Sequence, residues 1–302
     1  MLDTDFVLDA AARDRLIDRF GAGAGPWCDA LPGLVEECGR RWGLELDEAL
    51  SGGTSRVFIG RRRGGRGVVL KLTPDRSVAE TEALALHAWA RTPHVVDLLE
   101  ADTENGALLL EKVEPGTRLA DQPGLPSFED IAGLLASLRV TDADLDGRLP
   151  ALTERVEFLF GLIGRRVNHA RVRSLVTPDL AERGHRLARS LAAGGHTELV
   201  HGDLGLPNVL IAGPERGLVA IDPRPTLGDR TADAIDWAIG RATSAAELDH
   251  RIERLCALDP DLNADRLRQW CQATAVVIAV QHLYRRPPDA TTTFLLQLAT
   301  SV

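Results

Sequence analysis

Lysine is nearly missing from this chain. Of its 302 residues 35 are basic, and only Lys71 and Lys112 among them are lysines; the other 33 are arginines. A coding bias toward arginine accounts for most of that scarcity, so a position that keeps lysine invites a chemical reason. Positive charge as a whole is also short. The 44 acidic residues leave a formal net charge of −9, which argues against a nucleic-acid partner, since such proteins present a basic face. Cysteine is sparse: Cys28, Cys38, Cys256 and Cys271 form no C-x-x-C pair, which excludes a disulfide framework and a zinc site. They read as small apolar residues in a reducing compartment. Long apolar runs are missing too. The longest, around Ala275–Val280, falls far short of the ~20 residues that span a bilayer. The acidic start Met1–Asp5 lacks the basic-then-apolar order of a signal peptide. The expectation is a cytoplasmic protein with no membrane partner, a monomer or weak homodimer.

What remains is 44% apolar and 26% charged, the composition of a globular chain with ample material for a core. Apolar spacing predicts a helix over Arg13–Phe20, a break at Gly21–Pro26, and a second helix through Leu31, Leu34, Val35, Cys38 and Trp42. The period then changes. Glu45–Leu50, Arg56–Gly60, Gly67–Thr73, Val95–Glu100 and Ala107–Val113 read as strands, interrupted by one helix at Val78–Ala90. Beyond Pro115-Gly116 helices dominate: Phe128–Arg139, Ala151–His169, Pro178–Ala193, Thr231–Thr243, Ala245–Leu258 and Ala264–Tyr284. Within Glu198–Ile221 two short apolar runs flank the turn Gly213–Gly217 and predict a hairpin. The chain thus reads as α+β in two lobes, a β-rich one over residues 1–112 and a helical one over 113–302, with ligand expected in the cleft between them.

The strongest local signal is His201-Gly202-Asp203, with Asn208 five residues on, held between two apolar runs; Asp222-Pro223 follows the second arm of the hairpin. Closing that hairpin returns Asn208 and Asp222 to one end of it. Their oxygens are hard ligands of the kind Mg²⁺ takes while bridging substrate phosphates. Asp203 then stands as a carboxylate able to orient and deprotonate a hydroxyl. His201 and Asp203 alternate and could share a metal, but no third His or Cys stands nearby to complete a catalytic zinc site. In the β-rich half, Gly52-Gly53-Thr54-Ser55 makes a turn fit to present N–H groups to phosphates, a weak signal by itself. Lys71 lies in Val68-Val69-Leu70-Lys71-Leu72, where an ammonium among apolar residues needs a partner or ligand.

These segments resemble the catalytic regions of aminoglycoside phosphotransferases and other kinase-like small-molecule kinases, the counterparts of H-R-D-x-x-x-x-N and D-F-G in protein kinases. Within that family the branch of streptomycin 6-phosphotransferases and hydroxyurea-resistance kinases matches best. It is carried by Gly52–Ser55, Glu82–Trp89, Leu109–Gly116, Ile221–Pro225 and Gly228-Asp229, and it covers the chain from about Trp27 onward. Gly202 replaces the Arg of the protein-kinase motif, and Gly205 and Leu206 stand where relatives often carry His or other polar residues. The resemblance implies a bilobal protein-kinase-like fold and an ATP-dependent phosphotransferase with Mg²⁺. Asp203 would be the base and Asn208 and Asp222 the metal ligands. Lys71 would meet the α/β-phosphates, held by Glu82 or Glu80, with Glu82 preferred. Gly52, Gly53, Thr54 and Ser55 would cover the phosphates, and Glu111 and Val113 would offer backbone contacts to the adenine. Lys112 reads as a solvated charge.

A cationic aminoglycoside or aminocyclitol acceptor calls for an acidic cleft. Asp229, Asp233 and Asp236, with Trp237, follow the hairpin and are expected to face the site, Asp236 being the candidate that binds acceptor. Three readings stand: a streptomycin-type antibiotic kinase, a metabolic kinase of an amino sugar or other small hydroxylated metabolite, and an inactive nucleotide-binding pseudokinase. Joint retention of Lys71, Asp203, Asn208 and Asp222 argues against the last.

Overall fold

The computed structural model describes residues 7–51, 54–140, 145, 147–166 and 168–301. Within it the chain forms two compact units. The first contains the described residues up to Thr117 together with Leu210–Ile221. The second contains Arg118–Val209 and the chain from Asp222 onward.

The first unit opens with α1 (Ala10–Phe20), whose N-cap Asp9 accepts the Ala12 N–H at 2.7 Å. Helix α2 (Ala24–Trp42) begins earlier than the sequence spacing implies. Pro26 lies in its first turn, where a missing N–H leaves no helix bond unmade, so the proline does not delay the start. Leu31, Val35, Cys38 and Trp42 of this helix are buried in one core cluster with Phe58, Leu70 and Leu109 of a sheet. That sheet is β1 (Leu44–Ser51), β2 (Arg56–Arg62), β3 (Gly67–Leu72), β4 (Leu98–Asp102) and β5 (Ala107–Glu111), in the order β1-β2-β3-β5-β4, with every pair antiparallel. Helix α3 (Arg76–Ala88), capped by Asp75, joins β3 to β4. The expected strand Val95–Glu100 is shifted: Val95 makes only an isolated parallel bridge to Ala220, and the regular strand starts at Leu98.

Two later strands, β7 (Val209–Ile211) and β8 (Leu218–Ala220), form the expected hairpin, its turn closed by Ala212 N–H to Gly217 O and Gly217 N–H to Gly213 O, both 2.8 Å. Its tip belongs to the first unit. Val96 N–H donates to Ala220 O, Ala220 N–H to His94 O, and the Arg216 guanidinium to the carbonyls of Pro93 and Val95.

The second unit is helical: α4 (Phe128–Ser137), α5 (Leu152–Arg166), α6 (Pro178–Ala193), α7 (Ile235–Ile239), α8 (Ala245–Leu258), α9 (Ala264–Arg285) and α10 (Ala290–Thr300). Helix α9 packs on α5, α6 and α10, with Leu267, Trp270, Cys271, Val276 and Val280 buried. The single helix expected over Thr231–Thr243 is instead a 3₁₀ turn (Arg230–Ala234) followed by the short α7, which ends at Gly240. Asp229 starts that turn by accepting the Thr231 N–H. Helix α10, which the sequence reading did not foresee, is nucleated by Asp289, whose carboxylate accepts both the N–H and the hydroxyl of Thr292. A small ladder pairs β6 (Glu198–Val200) with β9 (Thr226–Gly228), Thr226 opposite Val200. No described helix is long and apolar enough to cross a membrane. The architecture is α+β, an antiparallel sheet in the amino-terminal unit and helices in the carboxy-terminal one.

Candidate active site

The β6–β9 ladder sets the geometry of the catalytic segment. It ends where His201 leaves β6 and where Pro223–Pro225 enter β9, and Arg224 N–H donates to His201 O at 2.8 Å. The backbone at Gly202 has φ +74°, and a Cβ there would stand 2.2 Å from Arg224 O. Only glycine permits this approach, which is the structural reason the Arg of the protein-kinase motif is absent. From the other side Asp233 grips the same turn, one carboxylate oxygen accepting His201 N–H at 2.8 Å and the other Gly202 N–H at 2.9 Å. Burial pushes the Asp233 carboxyl up to about 7, against the pull of those two donors. His201 is fully buried and supports the turn.

Asp203 emerges from this clamp with its side chain 47% exposed. Arg155 of α5 donates to its Oδ1 at 3.2 Å, and the Asn208 amide donates to its Oδ2 at 2.9 Å and to its main-chain oxygen at 2.9 Å. Gly205 N–H to Asp203 O and Asn208 N–H to Gly205 O complete a loop bonded to itself. Because Asn208 directs its NH₂ inward to Asp203, its Oδ1 is left as an acceptor. Asn208 immediately precedes β7 and Asp222 follows β8 after one residue, so the hairpin returns both to one end. Asp222 takes a left-handed backbone, φ 54°, and its Oδ1 lies 3.4 Å from Arg224 Nη2. An amide oxygen and a carboxylate are hard donors, a set that fits Mg²⁺ sharing its shell with phosphates and water.

Beside Asp203, within the second unit, lies a cavity of about 140 Å³. Asp203, Asp236, Arg155 and Gln281 give it polar groups, while Phe160 and Trp270 belong to its apolar wall. Burial pushes the Asp236 carboxyl up to about 6, with the Asp203 charge adding to the rise and Arg155 opposing it. Gly205 makes room for it: a Cβ at that position would sit 2.6 Å from Asp236 Oδ2. The glycine that removes a polar side chain from the loop therefore admits a carboxylate from α7. The neighbours expected to join Asp236 do not. Asp229 is buried, accepting Arg266 Nε at 2.5 Å and Trp270 Nε1 at 2.6 Å; Asp233 is the clamp described above, and Trp237 is fully buried in the core.

In the first unit, Lys71 is buried and donates to both oxygens of Glu82, at 2.7 and 2.5 Å. Glu82 lies on the inward face of α3, whereas Glu80 is exposed. Thr54 is half-buried, its carbonyl accepting the Thr73 hydroxyl, and Ser55 is buried. Gly52 and Gly53 lie outside the described residues. Glu111 closes β5 and its carboxylate accepts both Arg216 Nη1 (3.0 Å) and Nη2 (2.6 Å) and the Asp97 N–H. Although burial pushes it up, these donors hold its carboxyl below the ordinary carboxylate range. Val113 is buried two residues on. Lys112 is half-exposed and pairs with Glu114. Arg155 and Arg216 were not singled out from the sequence; nothing local distinguishes them from 31 other arginines.

Comparison with known proteins places these features in a family. Residues 41–284 match the model of the aminoglycoside/hydroxyurea antibiotic resistance kinases. A hydroxyurea phosphotransferase of Kitasatospora aureofaciens is 32% identical over 260 residues, 83% of this chain and 73% of that one. A streptomycin 6-kinase of Streptomyces glaucescens is 33% identical over 222 residues, 70% of this chain and 67% of that one. Among solved structures, a choline kinase from Streptococcus pneumoniae shares the fold at 14% identity, with a TM-score of 0.59 over 89% of this chain and 97% of that one. The two units are therefore the lobes of a protein-kinase-like fold, and the chain is a phosphotransferase belonging to the aminoglycoside/hydroxyurea antibiotic resistance kinase family.

Proposed function

We propose that the enzyme transfers the γ-phosphoryl group of ATP to a hydroxyl of a cationic aminocyclitol antibiotic of the streptomycin type. The observation that carries this reading is the half-exposed Asp203 carboxylate, anchored at both oxygens, opening on a cavity whose other acidic group is Asp236. An acceptor hydroxyl bonded to Asp203 is aligned for attack. Its oxygen forms the new bond to phosphorus, the bond from phosphorus to the β–γ bridging oxygen breaks, the hydroxyl proton passes to the Asp203 carboxylate, and ADP leaves. Asp236 would hold an ammonium or guanidinium of the acceptor by charge. Asn208 Oδ1 and Asp222 would hold Mg²⁺, which supplies charge neutralisation to the phosphates. Lys71, fixed by Glu82, would meet the α/β-phosphates as a compact ammonium. The turn at Gly52–Ser55 would cover them, and the backbone of Glu111 and Val113 would read the adenine edge.

A second reading keeps the chemistry and changes the acceptor. The cavity is small and has an apolar wall that includes Phe160 and Trp270, features that favour a compact amino alcohol or amino sugar. One experiment addresses both: ADP release measured with streptomycin, hydroxyurea, choline and glucosamine as acceptors, in the enzyme and in Asp203→Ala. The first reading expects streptomycin to be turned over with the highest kcat/KM and Asp203→Ala to be inactive while still binding ATP. A compact acceptor with far higher kcat/KM would replace it by the second, and turnover surviving Asp203→Ala would remove Asp203 from its role.

A further inference from the structure

Arg155 belongs to no segment of the sequence that signals chemistry, yet it reaches the reacting carboxylate. Its helix, α5, lies about 50 residues before the catalytic loop. The side chain is only 13% exposed, and it donates twice: Nε to Gly202 O at 3.1 Å and Nη2 to Asp203 Oδ1 at 3.2 Å. Burial lowers its pKa, while the carboxylates of Asp203, Asp222 and Asp236 act on it in the opposite sense and Arg224 adds to the fall. The phenyl ring of Phe158 lies 5.5 Å from its guanidinium carbon.

We infer that Arg155 is a positioning residue for Asp203, its planar fork fixing the rotamer in which the carboxylate meets the acceptor hydroxyl. This rests on the phosphotransferase reading of Asp203 given above. The physical case has three parts. Asp203 is exposed and shares its surroundings with Asp236, whose like charge favours swinging it out into solvent. Asn208 holds one oxygen only, so a carboxylate tethered by Asn208 alone keeps a torsional freedom that the second anchor removes. And a guanidinium bonded to the Gly202 carbonyl cannot turn without breaking that bond, so its own plane is set by the backbone immediately before Asp203. Lysine carries three donors on one freely rotating nitrogen and has no plane for the Gly202 carbonyl to fix. Alignment is what the loose transition state of phosphoryl transfer mainly asks for.

The test compares Arg155→Ala and Arg155→Lys with the parent enzyme and with Asp203→Ala, using Mg-ATP and whichever of streptomycin, hydroxyurea, choline and glucosamine is turned over fastest. Expected for Arg155→Ala is a fall in kcat of ~100-fold, the scale of a misplaced reacting group, with KM for ATP and for acceptor little changed. Arg155→Lys should recover part of the loss. Millimolar guanidinium chloride, set against equal sodium chloride, should restore turnover to Arg155→Ala and leave the parent unchanged, a response that a merely structural tie would not give. Parental kcat in Arg155→Ala overturns the inference. So does full recovery in Arg155→Lys, because charge alone would then suffice. So does a loss spread over both KM values and the melting temperature, with no guanidinium response. Turnover that survives Asp203→Ala would instead overturn the reading on which the inference rests.

Discussion

Replacing Gly202 by alanine tests whether the catalytic turn is built as closely as its geometry implies. Two costs are separable. A left-handed backbone at a non-glycine residue costs about 1–2 kcal/mol. The added Cβ would also stand 2.2 Å from Arg224 O, more than 1 Å inside ordinary contact, so one backbone segment must give way. The bond from Arg224 N–H to His201 O and that from Gly202 N–H to Asp233 lie along the path of that displacement. Losing these two bonds adds roughly 1–3 kcal/mol. The expected total is about 2–5 kcal/mol. Gly147, with φ +71° and no described residue within 4 Å of an added Cβ, is the control; its alanine variant should show the backbone cost alone, roughly 1–2 kcal/mol. Urea unfolding followed by far-UV circular dichroism gives both values from the shift in midpoint. Because Asp203 is the next residue, kcat of Gly202→Ala should fall ~100-fold if the turn moves by about 1 Å. A Gly202→Ala enzyme no less stable than Gly147→Ala, with parental kcat, would refute the argument that this contact fixes the turn.

Two further outcomes follow from charge. Asp236 ionises at about 6, so KM for a cationic acceptor should rise as pH falls below that value and level off above it; Asp236→Asn should raise KM about tenfold or more and flatten the dependence, and an unchanged pH profile would show that Asp236 does not bind the cation. Glu111 titrates below its ordinary 4.5 in the folded state, so its pairing with Arg216 contributes stability above that value which is lost as pH falls through the depressed one. Arg216→Met should therefore lower the unfolding free energy at neutral pH by roughly 1 kcal/mol, a partly exposed ion pair, and by less as pH falls through that depressed value.

The sheet was legible where β-branched runs stand between glycine-rich turns, as in Arg56–Gly60 and Gly67–Thr73. It was less so at Val95-Val96, whose apolar character reflects packing against the hairpin instead of membership of the sheet. Helix α10 was hidden because Pro287-Pro288 precedes it and three threonines with low helix propensity open it; the cap by Asp289 and tertiary packing outweigh that propensity. The division of Thr231–Thr243 was hidden for a different reason, since its bend answers to Asp229 and Asp233 being held by distant groups. Asp203, Asn208 and Asp222 could be read because a single contiguous hairpin carries all three. Arg155 could not, since only the folded chain brings α5 to Gly202, and Arg216 sat inside a turn noticed for its glycines while its partner Glu111 lies 105 residues away.

That last contact has a consequence for how the molecule can be made and recombined. Residues 210–221 complete a unit whose remainder ended at Thr117, so the amino-terminal lobe is discontinuous in the gene. During synthesis it must wait, with His94, Val96 and Glu111 lacking their hairpin, until 92 intervening residues have emerged. Non-local closure of this kind slows folding and leaves the sheet exposed to mispairing meanwhile. A fragment stopping at residue 117 would carry that defect permanently. Chimeras between relatives that exchange the amino-terminal half would inherit it too, unless residues 210–221 travel with the lobe they belong to.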